Sequence, residues 1–303
     1  MSNLIQTINL TRRYGKQIVV KDLNLEVKQG EVYGFLGPNG AGKTTTIRML
    51  LGLIRPTFGE VKLFGKPLNN HRREVLWRVG ALVESPSYYG HLTGRENLEV
   101  TRRLLGLPRE RIDEVLSLVR LTKAADKKVK KYSLGMKQRL GIASALLGKP
   151  DLLILDEPTN GLDPAGIQEI REFIMDLPKQ YGISVLVSSH LLSEMEQMAT
   201  QVGIIHQGKL IFQGSITTLQ KKSRPRIRFG VGDPREAQHV LQSRGWQVSL
   251  QEGELWIDGL DRNATAQIVE CLVKEHFSVY RVEEVKPSLE EIFLRLTGKE
   301  ESL

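Results

Sequence analysis

Residues 33–54, YGFLGPNGAGKTTTIRMLLGLI, run from an apolar strand through a glycine-rich loop into a helix. Few folds accept that order. Within it, Gly37-Pro38-Asn39-Gly40-Ala41-Gly42-Lys43-Thr44 matches G-x-x-x-x-G-K-[S/T]. The glycines let backbone N–H groups turn inward around phosphate oxygens, and the helix starting near Lys43 points its positive end at the same anion. Lys43 is placed to reach β- and γ-phosphates and the Thr44 hydroxyl to ligate Mg²⁺. Thr45 follows in the same turn and is counted with the binding loop. Ile47, Leu50, Leu51 and Ile54 repeat at i, i+3, i+4, i+7, one helical face, before Pro56 and Gly59 end the element.

A second constraint lies downstream. Residues 152–158, LLILDEP, read as a buried strand delivering Asp156 and Glu157 at its C-terminal end, where open parallel sheets bind ligands. Asp156 is the candidate support for Mg²⁺ and Glu157 the candidate base for an attacking water. Residues 183–190, ISVLVSSH, read as another apolar strand. Residues 4–35 read as short strands, and residues 93–148 as helical, with Thr93-Gly94-Arg95-Glu96 a possible capping box. Ile112, Val115, Leu116 and Val119 form one stripe of that region, and Met136, Leu140, Ala143 and Leu147 another. Apolar strands alternating with helices imply an α/β fold built on a parallel sheet.

The 303 residues suggest two domains. The basic, proline-containing stretch 221–226 reads as a junction. Beyond it the order is strand 227–231, helix 234–243, strands 246–250 and 254–257, helix 263–275 and strand 279–282. That βαββαβ order predicts a small ferredoxin-like α+β unit, followed by a helix over 288–296 opened by Ser288-x-x-Glu291. The boundaries expected are 1–220 and 221–303, with a helical subdomain at about 85–150. The single cysteine, Cys271, excludes a disulfide framework and reads as a small core residue. The longest stretch free of Asp, Glu, Lys and Arg is the 14 residues 180–193, too short and polar to span a bilayer, and the N-terminus lacks a signal-peptide run. A soluble chain of the reducing cytosol is expected.

The segment between the two phosphate motifs chooses among nucleotide enzymes. Tyr132-Ser133-Leu134-Gly135-Met136-Lys137-Gln138-Arg139 resembles the signature of ATP-binding cassette (ABC) ATPases, in a variant with Leu and Met at its second and fourth places, and Ser133 stands 23 residues before Asp156. Tyr14 resembles the aromatic that stacks on adenine. Residues 160–163, ending in Asp163, resemble the D-loop, and His190 the switch histidine that contacts the γ-phosphate. The resemblance covers roughly residues 4–218. It implies a P-loop ABC ATPase core that hydrolyses ATP with Mg²⁺. Lys43, Glu157 and His190 would do the chemistry, and Tyr14, the phosphate loop, Ser133, Gly135 and Asp163 would bind nucleotide. It also implies that Ser133 and Gly135 complete the site of a second copy head to tail, so a partner cassette is needed, most simply in a homodimer.

One position departs from the family. Where the loop joining core and helical region, residues 79–86, usually carries glutamine, this chain has Glu84. A carboxylate is a hard oxygen ligand, so Glu84 joins Thr44 and Asp156 as a candidate metal residue. With the YSLGMKQRL form and the PSLEEIFLRLTG tail, this resembles bacitracin-resistance and lantibiotic-immunity exporters. These are cassette subunits that pair with a separate permease at the cytoplasmic face of the membrane. Drug, sodium, polysaccharide and lipid exporters, and sensing complexes, share much of the pattern.

Lys+Arg 43 against Asp+Glu 35 leaves the chain at +8. Residues 120–139 hold eight Lys/Arg and one acid, Asp126, which reads as a solvated helical face or a surface for anionic head groups or a partner loop. Neither this run nor 221–228 is interleaved with aromatics, so no nucleic-acid partner is expected. The tail carries no clustered acids or histidines and is expected to be regulatory or dimer-stabilising.

Overall fold

The computed structural model describes residues 3–84, 88–222, 226–285 and 290–293. The chain divides into two compact units, residues 1–216 and 217–303.

The first unit opens with β1 (Asn3–Tyr14), which turns through Gly15 into antiparallel β2 (Gln17–Leu23), and β3 (Glu26–Lys28) pairs with the start of β1. β4 (Val32–Leu36) leads into α1 (Lys43–Leu50). The helix stops before the expected Ile54, because Gly52 takes φ 63° and breaks the α ladder. β5 (Phe58–Leu63) and β6 (Lys66–Pro67) return to β1, giving a five-stranded antiparallel sheet. α2 (Leu68–Leu76) precedes β7 (Val79–Leu82), so the first half of the expected loop 79–86 is an edge strand paired with β8 (Leu152–Asp156). Gly80 is required there, since a Cβ would sit 2.3 Å from the Ala145 carbonyl.

The expected helical region is α3 (Gly94–Leu104), α4 (Glu110–Leu118) and α5 (Leu134–Leu146), with two short 3₁₀ turns between the last two. The capping box forms: Glu96 N–H donates to Thr93 Oγ1 at 3.1 Å and Thr93 N–H to Glu96 Oε2 at 2.7 Å. After β8 come α6 (Pro164–Tyr181), β9 (Ser184–Ser189), α7 (Leu192–Met198), β10 (Gln201–His206) and β11 (Lys209–Ser215), and α8 (Ile216–Lys222) crosses the boundary into the second unit. The second sheet has the order β11-β10-β4-β9-β8-β7, parallel except for edge strand β11. Every residue of β4, β8 and β9 is buried, the pattern of a parallel sheet covered on both faces. Ile47, Met49 and Leu50 of α1 share one core with Ile5, Leu23 and Leu63 of the antiparallel sheet and Leu152 and Ile154 of the parallel one. That packing fixes the loop before α1 beside the C-terminal ends of β8 and β9.

The second unit follows the expected order: β12 (Arg226–Val231), α9 (Pro234–Ser243), β13 (Ser249–Gln251), β14 (Glu254–Asp258), α10 (Arg262–Lys274) and β15 (Val279–Val285). The strands lie β13-β14-β12-β15, all antiparallel, which is the split βαβ arrangement. Trp246 falls outside the expected strand, because its N–H instead closes the end of α9 on the Leu241 carbonyl at 3.1 Å. Phe229, Leu241, Leu255, Ile268 and Leu272 form the core with Cys271. Of the expected helix 288–296, residues 290–293 are helical with Ile292 buried; the rest, and the Ser85-Pro86 corner and residues 223–225 of the junction, lie outside the described residues.

Candidate functional site

The loop is built where β4 ends. Gly37 lies so close to β10 that a Cβ would meet the Ile205 carbonyl at 2.3 Å. Gly42 caps α1 at φ 110°, with the Val19 carbonyl 2.9 Å from where a Cβ would be. Both positions exclude side chains, by contact at the first and by conformation as well at the second. Lys43 is buried, and its Nζ donates to the carbonyls of Gly37 (2.7 Å) and Pro38 (3.3 Å). Thr46, one residue beyond the counted loop, donates its hydroxyl to Gly42 O at 2.9 Å and stiffens the first turn.

Glu157 meets that lysine. Its Oε1 lies 3.3 Å from Lys43 Nζ and its Oε2 3.0 Å from His190 Nδ1. The three expected chemical residues therefore converge, brought together from the phosphate loop, the end of β8 and the residue after β9. Asp156 is buried at the end of β8, with its Oδ1 accepting from Ser188 Oγ at 2.5 Å. The same Ser188 oxygen accepts the Glu157 N–H at 3.0 Å. Two further groups escaped sequence reasoning. Thr159 Oγ1 donates to Glu194 Oε2 at 2.6 Å, a buried pair that fixes the turn after Glu157 to α7. Both stand among other polar residues in the sequence, which gives no signal of a partner 35 residues away.

Thr44 and Asp156 are hard oxygen donors of the kind that suit Mg²⁺. The Asp156 contacts described use Oδ1 alone. Among the described residues no group of three or more His, Cys, Asp or Glu forms a closed metal cage. An Mg²⁺ held by one or two protein oxygens plus phosphates fits that donor set.

Other expected residues lie farther out. Ser133 caps α5, its Oγ accepting from Met136 N–H at 3.2 Å, and Asp163 caps α6, accepting from Gly166 N–H at 3.2 Å. Leu134 packs so closely on Gly161 that a Cβ there would sit 3.1 Å away, and Arg139 of α5 pairs with Glu169 of α6. The signature helix is thus tied to the segment that follows Glu157. Tyr14 stands half-exposed at the end of β1 with the Arg12 guanidinium 4.3 Å above its ring. Glu84, at φ 60°, is exposed and pairs with Arg48, one turn along α1 from Thr44. Nearby, Tyr88 donates to the Lys137 carbonyl at 2.5 Å, and burial pushes its hydroxyl above the ordinary phenol range, which keeps it a donor.

The family model described as ABC transporter matches residues 20–160. A bacitracin transport ATP-binding protein of Bacillus licheniformis is 45% identical across 98% of both chains. An uncharacterised ABC transporter ATP-binding protein of Bacillus subtilis is 41% identical across 99% of this chain and 97% of its own. A lantibiotic transport ATP-binding protein of Streptococcus pyogenes is 42% identical over 69% of this chain and 90% of its own. A solved ATP-binding subunit of an ABC transporter superposes with TM-score 0.64 at 30% identity, covering 72% of this chain and 92% of that one. Among the described residues no helix is long and apolar enough to cross a membrane.

Proposed function

The chain belongs to the ATP-binding proteins of ABC transporters, an ATPase subunit that works with a membrane permease, and from that premise we propose that it powers efflux of a peptide antibiotic of the bacitracin or lantibiotic class. The substrate reading is supported by the 45% identity to a bacitracin transport ATP-binding protein, which spans both units. A permease without its own ATPase holds such a chain at the cytoplasmic face of the membrane.

The observation that carries the chemistry is the Lys43–Glu157–His190 chain. The Lys43 ammonium donates to two carbonyls and pairs with the Glu157 carboxylate. A γ-phosphate competes for that cation. As Lys43 turns to phosphate, Glu157 loses its neighbour and becomes free to accept a proton from water attacking phosphorus. His190 holds the other carboxylate oxygen and keeps the base aimed. Thr44 and Asp156 would hold Mg²⁺, which supplies charge neutralisation on the phosphates. Ser133 and Gly135 would close on the nucleotide of a second copy. ATP then binds the closed pair better than the open one and drives closure. The C-terminal unit, from about residue 220 on, serves as a regulatory or dimer-stabilising module.

Glu157→Gln tests the site. The amide keeps the shape and loses the base, so ATP binding persists, hydrolysis falls by about a hundredfold or more, and an ATP-bound dimer accumulates on size exclusion. Hydrolysis above about a tenth of wild type would assign the base elsewhere. Substrate is tested separately: co-expression with its membrane permease raises tolerance to bacitracin or a lantibiotic, and no change with either would defeat the export reading.

A further inference from the structure

β8 and β9 run parallel with Asp156 in register beside Ser188. Ser188 is 0% exposed. Its hydroxyl donates to Asp156 Oδ1 at 2.5 Å and accepts the Glu157 N–H at 3.0 Å. One oxygen therefore holds both acids, the first by its side chain and the second by its main chain. Glu157 has φ 49°, the left-handed region that L-residues other than glycine seldom enter. That φ turns the chain out of the strand after Glu157, and the Glu157 N–H takes the Ser188 hydroxyl as its acceptor.

Resting on the assignment of Asp156 and Glu157 above, we propose that Ser188 is a positioning residue for ATP hydrolysis, setting the spacing between the metal-side carboxylate and the base. The two roles need a group that donates and accepts at once, which a hydroxyl does and an aliphatic side chain of the same size does not. The Ser188 hydroxyl is enclosed: its neighbours Leu155 and Val187 are 0% exposed. A bond to a carboxylate there is stronger than it would be in water. Deleting the hydroxyl leaves the Glu157 N–H unpaired and Asp156 free to rotate away.

The same strand supplies a control. Ser184 is also 0% exposed and accepts the Gly30 N–H at 2.8 Å, at the end of β9 remote from the acids. Ser184→Ala deletes a comparable buried bond without touching the site. The experiment compares wild type, Ser188→Ala, Ser188→Thr and Ser184→Ala in the full chain. It reads ATPase kinetics, and binding of a fluorescent ATP analogue with Mg²⁺ and with EDTA. Ser188→Ala lowers kcat by about tenfold to a hundredfold, the worth of one hydrogen bond to a charged group. It also removes about fivefold of the affinity that Mg²⁺ adds, while binding in EDTA stays within about twofold. Ser188→Thr keeps the hydroxyl and restores both readouts to within about threefold, and Ser184→Ala matches wild type. Ser188→Ala behaving like Ser184→Ala would overturn the proposal, as would Ser188→Thr remaining as impaired as the alanine. A wild type lacking Mg²⁺-linked ATP binding would overturn the site assignment beneath it.

Discussion

The two units spend polar groups in opposite ways. In the first, Lys43, Thr46, Asp156, Thr159, Ser188 and Glu194 are buried, and most of them converge on the ends of β4, β8 and β9. In the second, no described polar or charged residue is buried as a whole, though the single nitrogens Arg228 Nε and Trp256 Nε1 are. Its charges form a lattice on the sheet: Arg228 pairs with Glu254 and Glu283, Arg281 with Glu254, and Arg226 with Asp258. Arg226 and Arg228 also lie over the Trp256 ring, at 4.8 and 5.6 Å. Burying polar groups costs free energy unless every one finds a partner. The first unit bears that cost around the ends of β4, β8 and β9, whereas the second has an apolar core and an ion-paired surface.

The strongest way to break this contrast is to remove the buried cation. Lys43→Ala takes away the cation proposed to face the phosphates and leaves Glu157 with the His190 contact. ATP affinity falls by about a hundredfold, the loss of one or two charge-assisted bonds, measured by nucleotide titration. Unchanged affinity would show that the buried polar cluster is structural.

The matching test in the second unit is Phe229→Ala, at a fully buried position. The cavity costs that unit about 3–5 kcal/mol, seen as an early calorimetric transition, with ATP affinity of the first unit unchanged. A fragment ending after α8 binds ATP as the full chain does. Loss of ATP binding in either protein would erase the division between units.

Glu84 sharpens the comparison, because it is a charged residue beside the site yet exposed. Glu84→Ala slows hydrolysis and export by about tenfold at limiting Mg²⁺ while ATP binding holds, and Glu84→Gln is milder because an oxygen ligand remains. If pairing with Arg48 is all that Glu84 does, Arg48→Gln copies Glu84→Ala at every Mg²⁺ concentration.

The smallest effect concerns Glu99, which Arg102 and Arg103 bind on α3. Hydrogen bonds from Arg102, then Arg103, lower its carboxyl from the usual range to about 2. A folded-state value below the unfolded one gives stability that is complete above the unfolded pKa and fades as pH falls toward the folded one. The melting-temperature gap between wild type and Glu99→Gln is therefore widest near neutrality and narrows as pH drops below about 4.5. A gap independent of pH would assign it to helix packing.

Much of this was legible along the chain because the signals are local. The phosphate loop needs φ values and close approaches that glycines at 37 and 42 supply, the capping box is a four-residue pattern, and α9 and α10 carry their own stripes and caps. β7 hid as a loop because four residues cannot show a period, and the edge pairing with β8 was made by sequence 73 residues away. The apolar stripe continues past Gly52, so periodicity alone extends α1 beyond its end at Leu50.

By itself the sequence determined that a phosphate loop, an acid pair and a histidine must each end a strand, since their neighbours dictate the strand and the turn. It also set the βαββαβ order of the second unit. Tertiary structure alone decided that Glu157 bridges Lys43 and His190, that Ser188 holds both acids, and that Glu84 faces Arg48. The physical reason is that strand order in a parallel sheet is set by crossover packing, which places β9 between β4 and β8. Lys43 and Glu157, far apart along the chain, become ion-pair neighbours only once that order exists.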